Sequence, residues 1–260
     1  MAAETQYTAN NGMQNISTAN INLNGTGDIS DAIITGDSNG TLVEFITVHA
    51  TGTTTEGMVR IFIYDGTNTR LAFEVAIPAI TPTGTVPAFG IRIPVSFALE
   101  DTWSLKASTE KGESFNVIAE GLDWTYYAAS VRPESIKYTA QTGLAQVSTG
   151  TTARDGSDTT SVITGGTLGT LIPSLTIKAT GNTTEGMIRL FLDDTSNTRL
   201  IMEIPVEATI ASSSAHSFSK TITFEGKGLI LKNGWSLKVS TNNSEAFNII
   251  AEGLDWSYPA

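Results

Sequence analysis

The sequence lacks cysteine and contains only two histidines, His49 and His216, among 260 residues. Without cysteine there can be no disulfide bond, no thiolate metal site and no cysteine nucleophile. Two histidines leave little material for zinc binding or for acid–base chemistry near neutral pH. They also occupy non-equivalent positions of the repeat described below, so the two halves share no histidine site. We therefore interpret both as incidental surface residues.

Basic residues and long apolar stretches are scarce as well. The chain has 15 Lys and Arg against 26 Asp and Glu, a net charge of −11. Proteins that bind nucleic acid usually present a basic face, so we expect no nucleic-acid partner. No apolar run approaches the roughly 18 residues that span a bilayer, and the start of the chain lacks the pattern of a signal peptide. We expect no membrane partner, and synthesis in the cytoplasm without a signal peptide.

What the chain does contain is a long internal repeat. The segment ATGTTTEGMVRIFIYDGTNTRLAFE at 50–74 returns as ATGNTTEGMIRLFLDDTSNTRLIME at 179–203, with 16 of 25 positions identical. The segment WSLKASTEKGESFNVIAEGLDWTY at 103–126 returns at 235–258, with 17 of 24 identical. A period near 130 residues is too long for a solenoid repeat and suits two copies of a whole domain. The chain is therefore a tandem duplication.

The repeat predicts the domain boundaries. Residues 1–128 form the first β-sandwich repeat with an N-terminal arm, 129–137 a linker, and 138–260 the second repeat. The offset grows from 129 to 132 between the two repeated segments, which places a three-residue loop insertion around Gly226-Lys227-Gly228. Residues 1–130 carry 5 basic and 14 acidic groups, whereas 131–260 carry 10 and 12. The copies thus share a core and differ on their surfaces.

The apolar residues alternate with a period of two, which is typical of half-buried β-strands. Turn signals such as Asp65-Gly66 separate these segments. The pattern predicts an all-β fold: a tandem duplication of an antiparallel, jelly-roll-like β-sandwich with seven or eight strands per copy. In the first copy the predicted strands lie near 14–23, 41–50, 58–64, 70–80, 88–97, 103–109 and 115–126, with a short one near 30–35. The polar opening of the chain is expected to be an arm, so that deletion of 1–20 leaves the fold intact.

No catalytic signature is present, so we assign no catalytic, cofactor-binding or metal residues and predict that the chain is not an enzyme. The acidic residues repeated in both halves are Glu56/Glu185, Asp65/Asp194, Glu74/Glu203, Glu113/Glu245, Glu120/Glu252 and Asp123/Asp255. Two of them could form a glycosidase-like pair of carboxylates. The alternative, which we favour, is that they stabilise turns and pair with the repeated arginines Arg60/Arg189 and Arg70/Arg199.

Two further binding functions are considered and ranked lower. The turns Asp65–Asn68 and Asp194–Asn197 could offer oxygens to calcium, although most calcium sites need six or more and these residues are also favoured in turns. No other cofactor is expected. The repeated aromatics, Trp103/Trp235, Trp124/Trp256, Phe62/Phe191, Phe115/Phe247 and Tyr126/Tyr258, could stack on sugar rings. Because they are kept while the surfaces diverge, we interpret them as core residues.

The repeated blocks also resemble small β-sandwich proteins encoded among the virion genes of tailed bacteriophages. The residues that carry the resemblance are Arg60, Phe62, Asp65, Asn68-Thr69-Arg70-Leu71, Glu74, Ser104-Leu105-Lys106, Phe115-Asn116 and Ala119-Glu120-Gly121, each with its partner in the second copy. The resemblance covers most of both halves, but its motifs are structural. It implies a virion component and transfers no catalytic residue.

The resemblance implies a location in the virion and other virion proteins as partners. We favour a capsid decoration (cement) or minor capsid protein that stabilises the shell of a bacteriophage. The alternatives are a head-fibre, tail or baseplate component, a tandem jelly-roll major capsid protein, and a carbohydrate-binding module. Three two-copy chains would present six similar domains in a ring, so we expect a homo-oligomer and favour a homotrimer. The predicted contact surfaces are the diverged segments 1–30, 81–101 and 210–234, together with the linker.

Overall fold

A computed structural model describes residues 4–127, 137–211, 216–226 and 228–258. The chain divides into two compact units. The first comprises Met1–Thr81 and Ala88–Glu134, and the second comprises Pro82–Pro87 and Ser135–Ala260. The predicted linker 129–137 lies outside the described residues except for Lys137. In the part of the chain that is described, no helix has the length and apolar character that a membrane crossing requires.

The first unit is a β-sandwich of eight antiparallel strands. The strands are β1 (Glu4–Ile16), β2 (Ile34–Thr35), β3 (Thr41–Ala50), β4 (Gly57–Tyr64), β5 (Thr69–Ile77), β6 (Gly90–Leu99), β7 (Ser104–Thr109) and β8 (Phe115–Tyr127). They form two four-stranded sheets, in the orders β1-β8-β3-β6 and β2-β7-β4-β5. Except for the β4–β5 hairpin, consecutive strands lie in different sheets, and the last strand lies beside the first, which is the topology of a jelly roll.

The second unit repeats this topology. Its strands are β9 (Lys137–Val147), β10 (Thr160–Thr164), β11 (Thr170–Ala179), β12 (Gly186–Asp193), β13 (Thr198–Val206), β14 (Ser219–Thr223), β15 (Leu229–Leu231), β16 (Ser236–Thr241) and β17 (Phe247–Ser257). The sheet orders are β14-β11-β17-β9 and β10-β16-β12-β13, and β15 also pairs with β11. The prediction of an all-β tandem jelly roll is confirmed, and the structure supplies the strand order, which the sequence left open.

The inserted residues fall inside one strand. In the first unit, β6 pairs with β3 as a continuous strand, with Pro94 opposite Phe45 and Phe97 opposite Val43. In the second unit the corresponding strand is interrupted: β14 ends at Thr223 and β15 begins at Leu229, and both pair with β11. The insertion therefore lies where the register already shifts in the first unit, a position at which extra residues disturb the ladder least.

The predicted N-terminal arm is wrong. Residues 4–16 form β1, which pairs with β8 along its whole length from Glu4 opposite Tyr127 to Ile16 opposite Phe115. The predicted strand at 14–23 is misplaced accordingly. Ile16 is buried in the core between the two sheets, because an edge strand of a sandwich still contributes apolar side chains to the packed layers, and Ala9 and Met13 on the opposite side of β1 are buried as well. Deletion of 1–20 is now expected to disrupt the first sandwich rather than leave it intact.

The interior of each unit is filled by alternate side chains of facing strands. In the first unit Val59 and Ile61 of β4 pack with Leu105 of β7 and with Phe115 and Val117 of β8, all fully buried. The second unit uses the equivalent residues of β12, β16 and β17. Burial of apolar area at about 25 cal/mol per Å² is the main stabilising contribution to such a core. Side chains of opposite parity face outwards from both sheets.

Candidate functional site

The repeated arginines and acids form structural ion pairs. Arg60 Nε lies 2.9 Å from Glu74 Oε1, and Nη1 of Arg60 donates to the carbonyl of Asn20 at 2.9 Å. In the second unit Arg189 Nε lies 2.7 Å from Glu203 Oε1, and Nη1 of Arg189 donates to the carbonyl of Thr151, in the loop after β9, at 2.8 Å. Each arginine thus fastens the long loop after the first strand to a neighbouring sheet. The interpretation of these acids as arginine partners is confirmed for this pair.

The second unit buries its version of this pair more completely. The side chains of Arg189 and Glu203 are 1% and 0% exposed, whereas Glu74 is 36% exposed. Burial lowers the pKa of Arg189, and the hydrogen bond and charge of Glu203 oppose that shift. A second cation, Arg154, reaches the same carboxylate oxygen at 3.0 Å. One carboxylate is therefore shared by two guanidinium groups.

The candidate calcium turns use their carboxylates to hold backbone amides. Asp65 Oδ1 accepts from the amides of Asn68 at 2.6 Å and Thr67 at 2.9 Å, and these two bonds lower its pKa. Asp194 accepts from the amides of Asn197 and Ser196 in the same way. Within the described ranges, no group of three or more His, Asp or Glu is placed to hold a metal ion. The low-ranked expectation of calcium stays a prediction.

Most repeated aromatic residues belong to the interior. Phe62, Phe191, Phe115 and Phe247 are at most 1% exposed. The tryptophans Trp235 and Trp256 are buried, Trp103 and Trp124 are half-buried, and Tyr258 is half-buried. The side chain of Tyr126 lies outside the described part. The core interpretation is confirmed for the buried members, and a sugar-stacking platform made of them is excluded because their ring faces are covered.

The interpretation of both histidines as surface residues is confirmed for His216 and wrong for His49. His216 is exposed, as expected of a surface residue. His49 is only 1% exposed, and its Nδ1 lies 2.9 Å from the carbonyl oxygen of Ala50. The alternation of β3 explains the error: Val48 and Ala50 point into the core, so His49 points out of the sheet, and the sequence alone does not reveal that this outer face is covered.

That outer face differs between the two units. We define the outer face of each unit as the outward-pointing side chains of the sheet that contains the first and last strands. In the first unit its exposed or half-buried members include Asn15 of β1 and Arg92 and Pro94 of the edge strand β6. Its central members are Tyr7, Ala9, Asn11 and Met13 of β1, Asn116, Ile118, Glu120 and Leu122 of β8, and Phe45, Thr47 and His49 of β3. All of these except Tyr7 are buried. The sequence did not reveal that this face is buried, because the alternation of apolar and polar residues alone predicts that the outer side of the sheet is exposed to solvent.

A buried ion pair lies on the outer face of the first unit. Arg92 of β6 makes two parallel bonds to Glu120, Nε to Oε1 and Nη2 to Oε2, both at 2.9 Å. The guanidinium carbon lies 3.5 Å from the ring centroid of Phe45. Such bidentate, stacked geometry is specific to arginine. The second unit has Thr221 at the position of Arg92 and Ser174 at that of Phe45, so it lacks this arrangement.

In the second unit the outer face is open. Leu144 of β9 is 69% exposed and Tyr138 is 58% exposed. Asn248 and Glu252 of β17 are exposed, and Ile250 between them is only half-buried. Glu252 accepts a hydrogen bond from the hydroxyl of Ser174 at 2.8 Å. The same sheet face is therefore buried in one copy of the domain and accessible in the other.

Comparison with known proteins gives no family. No family model matches the chain, and no curated protein matches it. Weak similarity to solved structures covers nearly the whole chain. The major capsid protein P2 of bacteriophage PM2 is 14% identical over 95% of this chain and 98% of its own, with a TM-score of 0.28. The STIV major capsid protein is 11% identical over 97% and 98%, with a TM-score of 0.30.

The similar structures also include a protein of another kind. A tandem CBM22 domain from Paenibacillus barcinonensis is 10% identical over 96% of this chain and 93% of its own, with a TM-score of 0.25. Structural similarities with TM-scores this low do not discriminate between capsid proteins and binding modules. The assignment of a role rests on the residues of this chain.

Proposed function

We propose that this chain is a non-enzymatic structural protein of a virion. The proposal rests on the structural role of the residues that are identical in both copies. The repeated charges form ion pairs and Asx turns, such as Arg189 with Glu203 and the Asp65 carboxylate with its own turn, and the repeated phenylalanines fill the cores. The duplication thus preserved a scaffold, as the resemblance to virion β-sandwich proteins of tailed bacteriophages also implies.

Within the virion we propose the role of a capsid decoration (cement) or minor capsid protein in a homotrimer. A decoration protein binds its shell through a large surface of modest contacts, and its function then requires no pocket. Two jelly rolls in one chain also suit a trimer with six similar domains around a threefold axis. The cysteine-free sequence fits a particle that persists outside the cell, where thiols oxidise.

A second candidate is a tandem jelly-roll major capsid protein. The observation that favours it is the completeness of both units, each of which has all eight jelly-roll strands in the same order. A chain of this kind builds the shell itself, whereas a decoration protein binds a shell made by another protein. The two roles therefore differ in what the purified chain does alone.

The test begins with the purified chain in electron micrographs and light scattering. Closed shells formed by the chain alone would establish the major capsid role and overturn the decoration role. Soluble oligomers that bind undecorated shells of the source virus, and raise their resistance to heat, support decoration. Absence of the chain from purified virions, measured by mass spectrometry, would overturn the virion proposal. Binding in a glycan array would redirect it to the carbohydrate-binding alternative.

A further inference from the structure

We infer that Asn24 is a site of spontaneous modification, at which the backbone nitrogen of Gly25 attacks the side-chain amide and converts it to a carboxylate. This goes beyond the proposed function, because the reaction needs only the folded chain and water. Asparagine is a thermolabile residue, and a following glycine leaves the approach of the nitrogen unhindered. The chain contains four such pairs, Asn11-Gly12, Asn24-Gly25, Asn39-Gly40 and Asn233-Gly234. Their surroundings in the fold differ, and these differences favour Asn24.

The reaction proceeds through a cyclic imide. The Gly25 nitrogen gives its proton to hydroxide and bonds to Cγ of Asn24, the bond from Cγ to Nδ2 breaks, and ammonia leaves with a proton from water. Hydroxide then adds to a carbonyl carbon of the imide, the bond from that carbon to the ring nitrogen breaks, and the nitrogen takes back a proton. Opening at Cγ gives aspartate, whereas opening at the main-chain carbon gives isoaspartate. The sum is hydrolysis of an amide by water, with no oxidant or reductant.

The loop presents both reacting groups of this pair. The side chain of Asn24 is exposed, and its Oδ1 accepts hydrogen bonds from the Thr26 hydroxyl at 2.7 Å and the Thr26 amide at 3.3 Å. Negative charge develops on Oδ1 as the nitrogen adds to Cγ, and donors that already point at this oxygen stabilise it. Among the described residues, no oxygen accepts a hydrogen bond from the amide of Gly25. That amide can therefore release its proton to solvent.

A second occurrence of the same tripeptide, Asn39-Gly40-Thr41, provides an internal comparison. Asn39 is exposed as well, but Gly40 is buried and its amide donates to the carbonyl oxygen of Asp37 at 2.7 Å. The hydroxyl of Thr41 donates to Asp123, so it does not stabilise the side-chain oxygen of Asn39. Identical tripeptides share their intrinsic reactivity. A difference in rate between the two asparagines therefore reports the effect of the fold.

The two remaining pairs are also held in unreactive surroundings. The amide of Gly234, which follows Asn233, donates to the carbonyl oxygen of Gly165 at 3.2 Å. Asn11 is 5% exposed and lies within β1, whose extended backbone is paired with β8. An amide that donates to a carbonyl keeps its proton, and a paired strand cannot close into a ring without breaking its ladder. Asn24 is therefore the asparagine that the fold selects.

The second unit shows that a carboxylate suits the same loop. Asp155 lies at the position of Asn24, and its Oδ1 accepts from the Ser157 hydroxyl at 2.7 Å and the Ser157 amide at 3.0 Å. These hydrogen bonds lower the pKa of Asp155. The loops correspond, because a Cβ on Gly25 or on Gly156 would collide with the equivalent threonine of the neighbouring strand. Aspartate should therefore keep the loop, whereas isoaspartate should loosen it by adding a methylene group to the main chain.

The first experiment compares Asn24 with Asn39 in one incubation of the unmodified chain at mildly alkaline pH. Tandem mass spectrometry of digested samples follows the fraction of each asparagine that is converted. In the folded chain we expect Asn24 to react at least about tenfold faster than Asn39, because only its loop combines an unengaged nucleophile with donors on Oδ1. In concentrated urea the rates should agree within about twofold, since positioning no longer contributes. Equal rates in the folded chain, or the same preference in urea, would overturn the inference.

The second experiment tests the contribution of Thr26, whose side chain is exposed. Thr26→Val removes the hydroxyl donor and should slow the conversion of Asn24 about threefold or more. Thr26→Ser is the matched control, which keeps the hydroxyl and should react within about twofold of the unmodified chain. Circular dichroism checks that both variants are folded. Isoaspartate, measured with an isoaspartyl methyltransferase, should accompany aspartate, because it forms only through the imide. Equal rates for the two variants, or aspartate without isoaspartate, would contradict the inference.

Discussion

The two jelly rolls share their strand order but place their buried charges differently. In the first unit, Arg92 and Glu120 form a bidentate pair on the outer sheet face. The second unit has threonine and an exposed glutamate at these positions, and concentrates its buried charge instead on Arg189 and Glu203. Buried ion pairs are costly to break but contribute little by themselves. The comparison shows that buried ion pairs can lie at different positions in the two copies while the strand order and the core stay the same.

A smaller difference of the same kind, in the partner of a conserved-position lysine, lies on the other sheet of each unit. In the first unit Lys106 Nζ lies 4.7 Å from the ring centroid of Tyr64, a cation–π contact. In the second unit Lys238 lies at the position of Lys106, and its Nζ is 2.9 Å from Asp193, which replaces the tyrosine. The lysine is constant and its partner has changed. The partner can be an aromatic face or a carboxylate because either attracts the ammonium group.

The largest expected effect comes from Glu203→Gln. The substitution removes the negative charge between Arg189 and Arg154 and leaves a buried guanidinium uncompensated, at a cost of about 3–5 kcal/mol in the free energy of unfolding. The matched change in the first unit, Glu74→Gln, affects a carboxylate that is 36% exposed. Its cost should be about 1 kcal/mol or less. Urea unfolding measures both, and equal losses would contradict the comparison.

Arg92→Thr gives the first unit the residue that the second unit has at this position. It removes the cation that faces a fully buried carboxylate, so we expect a loss of about 3 kcal/mol. The control is Glu252→Gln in the second unit, where the carboxylate is exposed and the cost should stay within about 0.5 kcal/mol. If both variants unfolded at the same urea concentration, the outer face of the first unit would not be the buried surface that the structure shows.

A repeated glycine allows a third comparison. A Cβ at Gly12 would lie 1.5 Å from the carbonyl oxygen of Ile33, and a Cβ at Gly143 would lie 2.5 Å from that of Val162. Both glycines let the first strand of a unit approach the other sheet closely. Gly12→Ala should cost about 2–3 kcal/mol and Gly143→Ala about 1–2 kcal/mol, since backbone must move in both. The order of their melting temperatures checks this, and a reversed order would show that the first unit relaxes more easily.

The lowered pKa of Asp193 predicts that its substitution changes the stability of the second unit in a pH-dependent way. Burial would raise its pKa, but hydrogen bonds from Lys238, Thr198 and the Thr195 amide outweigh burial and lower it below 3.8. A lowered folded-state pKa contributes stability above the unfolded value, and that stability is lost as pH falls through the folded value. Asp193→Asn should therefore cost about 1 kcal/mol at pH 7 and nothing well below pH 3.8. Lys106→Met in the first unit is the control, and its effect should not depend on pH in this acid range.

The smallest expected effect is a gain in stability. The residue after the turn aspartate has a positive φ in both units, 89° at Gly66 and 77° at Thr195. This region suits glycine and is strained for a β-branched residue. Thr195→Gly should therefore stabilise the second unit by about 1 kcal/mol, and Gly66→Thr should destabilise the first by a similar amount. A lower melting temperature for Thr195→Gly would show that its side-chain contacts outweigh the strain.

Much of the fold follows from the sequence because local signals repeat. Six of the eight predicted strands of the first unit are present within a few residues, since apolar alternation and turn residues act over short distances. β1 was misplaced because its outward residues, such as Asn11 and Asn15, are polar and resemble a solvated arm. Its burial depends on β8, more than 100 residues away, which no local pattern contains.

The candidate site divides in the same way. The pairing of Arg60 and Arg189 with the repeated acids could be proposed from sequence, because both partners lie 14 residues apart on hairpin strands in both copies. The pair of Arg92 with Glu120 could not, since it occurs in one copy only and joins strands that meet through β3. The burial of His49 was not predicted either, because the sequence does not reveal that the outer side of β3 is covered.

The sequence by itself determined the duplication, the all-β class and the residues that fill the cores, because these depend on periodicity and on identity between the copies. Only the tertiary structure decided which strands are neighbours, where the inserted residues interrupt a strand, and which outer face is covered. Those features depend on contacts between distant segments, and the same alternating strand can face water or protein. The same retained residues, Ile118 and Ile250, are therefore buried in one unit and accessible in the other.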